Sequence, residues 1–189
     1  MMGLLSTIRG KKEVNGLGIS QDGPINAKTK KLIIQEWPRV LEQRPTLFKD
    51  IWFRSSTRST SIKKAFGMTE SENPEKNAAF LGLSAVIQSF FAKLVMTYEL
   101  NDEHVQTACE QLGSRHVDFI QRGFHSHFWD IFLVCMAETL DETLSSYMTD
   151  DGKRKEMVLA WQKMVSFIVY HMRAGYSERR RMQLGSKIN

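Results

Sequence analysis

Leu112-Gly113-Ser114-Arg115-His116 is the stretch on which the reading of this chain turns, and an aromatic run over residues 124–132 follows it. Val105, Ala108, Cys109, Leu112 and His116 fall on one helical stripe. Asn101-Asp102 can cap that helix, and Glu103 adds an acid to its first turn. Gly113 weakens it, which predicts a short and mobile element. Just upstream, residues 79–100 form the most apolar helix of the chain. Phe80, Leu83, Ile87, Phe90, Phe91 and Leu94 share a broad face there, and Lys93 is the one charge before Glu99. Two helices of this kind can hold a flat metal macrocycle between them, with His116 as the ligand. Neutral imidazole suits such a metal. The second ring nitrogen then needs a hydrogen bond to a carbonyl or hydroxyl, and Gln111 and Ser114 are near. A histidine on an apolar stripe is also a common core residue bonded to a carbonyl, so this feature alone leaves both readings open.

Outward from that centre, the pattern is helical throughout. Residues 27–42 carry Leu32, Ile33, Trp37, Val40 and Leu41 at helical spacing, and Pro38 should kink or end that helix early. After Pro45-Thr46, Leu47, Phe48, Ile51 and Trp52 form one apolar stripe, which the polar run 54–61 ends. Ser59-Thr60-Ser61 can cap a short turn reaching Phe66 and Gly67. A helix over 126–146 aligns Phe128, Phe132, Cys135, Met136 and Leu140. The last, over 153–174, turns Met157, Trp161, Met164, Val165, Ile168 and Met172 inward, and Gly175 should stop it. No alternating strand pattern and no internal repeat occurs. The expected class is all-α, with residues 1–27 a flexible tail, 28–176 the folded domain and 177–189 a basic tail around Arg179-Arg180-Arg181.

A chain of 189 residues is long enough for one domain with a real core. Net charge of +5 permits contact with acidic surfaces without requiring it. Its basic residues are not interleaved with aromatics, which argues against nucleic acid. Cys109 and Cys135 make no disulfide framework and fit a reducing, cytoplasmic setting as buried hydrophobes. No run of about 18 uncharged apolar residues stands out as a membrane span. If translation starts at Met2, Met-Gly-Leu-Leu-Ser-Thr matches an N-myristoylation signal on Gly3, with Arg9, Lys11 and Lys12 as an electrostatic second anchor. No Ser/His/Asp arrangement, phosphate loop or CxxC pair is present, so the expectation is a protein that is not an enzyme.

Over about 30–176 the chain resembles the globin family, most closely its nematode and neuroglobin-like branches. Trp37 resembles the first-helix tryptophan. Phe66, preceded by Lys63-Lys64-Ala65, is similar to the near-invariant phenylalanine that wedges against haem. Phe80-Leu81-Gly82-Leu83 resembles the segment ending in the distal residue, with Ile87 one turn on. Leu112 to His116 resembles the proximal-histidine motif. Arg122-Gly123-Phe124 and Phe128-Trp129-Asp130-Ile131-Phe132 resemble the next helix in its nematode form, and Trp161 with Arg173-Ala174-Gly175-Tyr176 the last one.

The resemblance implies a three-over-three helical sandwich and haem b, with iron on His116 and a cofactor cradle of Phe66, Leu83, Ile87, Phe124 and Phe128. Either Phe48 or Trp52 would face the bound gas. The implied function is reversible binding of dioxygen or another diatomic gas, for storage, transport or sensing. The distal position, commonly histidine or glutamine in the family, looks like Leu83 here. Bound dioxygen would then lack a hydrogen bond, unless the Trp52 indole supplied one. The alternative is a redox haem protein, transferring electrons, reducing nitrite or scavenging nitric oxide, at a membrane if Gly3 is acylated. His125 and His127 are too poorly placed to share a metal ion. His104 and His171 read as surface or packing residues, and Cys109 as a buried inert thiol.

Overall fold

The computed structural model describes residues 25–186, and the proposed acylation at Gly3 lies outside them. Among the described residues there are seven α-helices and no strand: α1 (Ala27–Gln43), α2 (Leu47–Arg58), α3 (Thr60–Lys64), α4 (Ala78–Ala92), α5 (Asp102–His116), α6 (Phe128–Ser145) and α7 (Asp151–Gly185). They stack in two layers of three. α1, α4 and α5 lie on α2, α6 and α7: α1 and α5 pack on α7, α4 packs on α2, and α6 joins α2 to α7. This is the three-over-three sandwich that the sequence implied.

Four of the seven α-helices open on a side-chain cap, whereas Ser59, expected to cap the short α3, makes no side-chain cap bond. The side chains of Asn26, Asn77, Asn101 and Asp150 each accept a backbone N–H of the helix they open. The main core gathers Ile33, Trp37, Val40, Phe48, Phe91, Leu94, Met136, Leu140, Trp161 and Met164. A smaller cluster of Trp52, Ile62, Met68, Phe80 and Phe128 sits beside it.

Four expectations about the helices are corrected. Pro38 neither ends nor breaks α1, because its ring lies on the exposed side while Ile33, Trp37 and Val40 hold the other side in the core. The apolar helix does not run evenly to Leu100. It gives way to a π-helical turn, Lys93–Thr97, and then to Glu99 and Leu100 with φ of 49° and 54°. Two successive non-glycine residues in the left-handed region are strained backbone. Gly113 is buried, not a point of mobility: a Cβ there would stand 1.9 Å from the carbonyl oxygen of Met172. Gly175 does not stop α7 either. A Cβ on it would stand 2.0 Å from the carbonyl oxygen of Glu110, and the helix continues to Gly185. The two glycines let α5 and α7 cross backbone to backbone.

The span 78–97 also differs from expectation in hydropathy. An 18-residue window of this 20-residue span has a mean hydropathy of 1.7, enough by length and composition to cross a membrane, yet only 28% of that window is buried. Val86, 61% exposed, shows how open its outer side is. The most apolar helix of the chain is therefore poorly covered by the protein itself.

Candidate functional site

α5 brings His116 to its last position, where the chain turns into a 3-10 segment, Val117–Arg122. Gly123, with φ of 89°, then redirects the chain toward α6. That corner closes aromatic rings around the imidazole. Ring centroids of Phe124, Trp129 and Phe119 lie 4.8, 5.3 and 5.7 Å from it. Tyr176 of α7 backs Phe124 and Trp129 in turn.

The Nδ1 of His116 is 2.8 Å from the carbonyl oxygen of Leu112. A carbonyl only accepts, so Nδ1 carries the proton and donates it. The neutral ring thus keeps an unprotonated Nε2 with a free lone pair. Burial pulls the imidazole pKa below its ordinary value, although the Leu112 bond works in the opposite direction. The ring is neutral at pH 7. The orienting partner is therefore the Leu112 carbonyl, one turn back in the same helix, and not Gln111 or Ser114.

α4 does not pack closely on α5. Leu83 and Ile87 are half-buried and belong to the smaller cluster. Ile87, Phe124, Ile131 and Phe132 touch both clusters and are themselves half-buried. Half-buried apolar side chains of α4 and α6 and of the corner at Phe124 thus line the seam between the two clusters. Farther along, a cavity of about 330 Å3 opens between Phe90 and Lys93 on one side and Ala108, Gln111, Leu112 and Arg115 on the other. His116 is not among the residues that line it. Its size falls within the roughly 300–1,000 Å3 of small-molecule sites.

The remaining residues singled out from sequence divide between the two clusters. Phe66 is half-buried and meets Trp52 and Phe80 edge-on at 5.8 and 5.3 Å. Phe128 is buried in the same cluster and meets Phe124 at 5.7 Å. Trp52 stacks on Phe80 at 4.9 Å and donates its indole N–H to the Phe80 carbonyl at 3.0 Å. That donor is occupied by the Phe80 carbonyl. Phe48 lies in the main core against Phe91 and Trp37, behind the smaller cluster.

The rings of His125 and His127 are 5.5 Å apart and exposed, and no group of three or more possible metal ligands exists among the described residues. His104 is exposed, whereas His171 is buried with its Nδ1 3.2 Å from Glu110. Burial pushes the Cys109 thiol up to about 12, which removes it as a nucleophile or redox handle at neutral pH.

Sequence reasoning missed the carbonyl of Leu112, the cavity mouth and Arg179. Arg179 donates to the Ser114 carbonyl and to both carboxylate oxygens of Asp118. The available signal was helical spacing continuing from Met172 through Tyr176 to Arg179, past the glycine that looked like a stop.

A family model described as Globin matches residues 49–172. Over 69 residues the chain is 32% identical to globin-related protein glb-13 of Caenorhabditis elegans, an alignment covering 36% of this chain and 22% of that protein. The matched region is thus about a fifth of that relative's length.

Proposed function

The chain belongs to the globin family, whose members in general bind diatomic gases through haem, and from that premise we propose that it holds haem b on His116 and binds a gas reversibly on the α4 side. The observation that carries this reading is the globin match over residues 49–172, which includes His116, and the 2.8 Å contact between His116 Nδ1 and the Leu112 carbonyl adds a tautomer that leaves Nε2 free to ligate. A metal-ligating histidine usually donates its second N–H in just this way, which fixes the tautomer and the ring plane. Haem would supply the iron at which the gas binds.

The protein's own residues do the rest. His116 presents Nε2 as a neutral ligand. Phe66, Phe124 and Phe128 offer aromatic edges and Leu83 and Ile87 an aliphatic roof, with Trp52 and Phe48 as support behind them. The poor coverage of α4 fits the same reading, because a macrocycle would bury apolar surface that the chain leaves open, at about 25 cal/mol per Å2. Leu83 and Ile87 donate no hydrogen bond, and the Trp52 N–H is taken by Phe80. The distal side therefore favours carbon monoxide over dioxygen. The functional range is storage, transport or sensing of a gas without net chemistry. The test is haem titration of the purified protein, with CO and dioxygen binding followed in the visible spectrum. Protein that takes up no haem refutes the reading.

A further inference from the structure

Three bonds from one side chain reach both sides of His116, one to the backbone before it and two to a carboxylate after it. Arg179 Nη1 donates to the Ser114 carbonyl at 3.0 Å and to Asp118 Oδ2 at 2.9 Å, and Nη2 donates to Asp118 Oδ1 at 2.6 Å. Ser114 lies two residues before His116 and Asp118 two residues after it. Between them α5 ends and the 3-10 segment begins. The guanidinium therefore spans the junction on which the imidazole is mounted. A planar fork against a carboxylate fixes angle as well as distance, which a lysine ammonium does not.

The height of Arg179 along α5 is itself set. Gly113 against Met172 and Gly175 against Glu110 bring α7 and α5 into backbone contact within two turns of it. Arg181, by contrast, pairs with Glu178 of its own helix. Arg179 also lies past residue 172, where the family match ends. A simple tether between helices would need one contact anywhere along them. This residue instead straddles the ring-bearing position.

We propose that Arg179 is a positioning residue for the His116 imidazole, acting through the Ser114 carbonyl and the Asp118 carboxylate without touching the ring. The proposal rests on the haem reading above.

The experiment uses the full chain loaded with haem and compares Arg179→Ala, Asp118→Asn and Arg179→Lys with wild type. The readouts are the iron–histidine stretching band of the ferrous protein and the rate of haem release to an excess of acceptor apoprotein. Arg179→Ala and Asp118→Asn should both shift or broaden the band. Both should release haem roughly two- to fivefold faster, the scale of a partly exposed ion pair. Arg179→Lys should fall between them and wild type. Unchanged band and release rate in the first two variants, with only the melting temperature lowered, would make Arg179 a mere helix tether and overturn the proposal. Wild-type protein without a Soret band would instead contradict the haem reading. Positioning is then judged from the His116 ring resonances of the haem-free protein, and their indifference to Arg179→Ala overturns it equally.

Discussion

Gly113 lies flat against the backbone of Met172, so close that a Cβ on the glycine would stand 1.9 Å from the methionine's carbonyl oxygen. The obstacle is main chain inside a helix and cannot rotate away. Gly113→Ala must therefore push α5 off α7. The expected cost is at least the ~1–3 kcal/mol of core overpacking, read as a lower urea midpoint. Gly175→Ala should do the same against Glu110. Gly82 meets nothing within 4 Å of its Cβ position, so Gly82→Ala should raise stability by about 0.5–1 kcal/mol through helix propensity.

Those glycines also mark what the sequence could and could not tell. Helical spacing located α1 and α2 because Trp37 in the first and Phe48, Ile51 and Trp52 in the second are buried at that spacing. The left-handed Gly67 ends the turn that delivers Phe66. His116 was legible because it ends an apolar stripe behind an asparagine cap. Gly175 and Gly113 misled because a glycine that ends or loosens a helix and one that lets two helices touch have the same letter. Only the partner backbone, 59 or 65 residues away between Gly113 and Met172 or Glu110 and Gly175, tells them apart. The Arg179 clamp was hidden for the same reason, its partner Asp118 being 61 residues off. The π turn at Lys93–Thr97 has no composition signal of its own.

His116 gives the fold an acid-sensitive component. Burial holds its folded-state pKa below the ordinary 6.5, so the unfolded chain binds the proton more readily. Stability from this group is fully present above about pH 6.5 and declines as pH falls toward the lowered folded value. Urea unfolding of haem-free protein at pH 7.5 and 5.5 should show a larger acid loss for wild type than for His116→Gln. Equal losses would count against it.

Trp52 separates packing from gas stabilisation. Its indole N–H is spent on the Phe80 carbonyl at 3.0 Å. Trp52→Phe should cost about 1 kcal/mol of stability and leave the dioxygen dissociation rate unchanged. A markedly faster dissociation in that variant would mean that the indole serves the gas.

Leu83 is the position at which a donor should matter most. Leu83→His should slow dioxygen dissociation roughly tenfold, the equivalent of a hydrogen bond of about 1.5 kcal/mol to a partly charged acceptor, with little effect on carbon monoxide. It should also slow oxidation of the ferrous protein in air. Rapid oxidation of wild type, cured by this change, would mark redox work as within reach of the native site. No change in either rate would place the gas elsewhere.

The most direct measurement is the visible spectrum of the purified protein after haem addition, taken for wild type and for His116→Gly. The wild type should show a Soret band that responds to carbon monoxide. The variant should lose that response and regain it when imidazole is added to fill the vacated side chain's place. A wild type that stays colourless in excess haem, or a variant with an unaltered spectrum, would contradict ligation by His116.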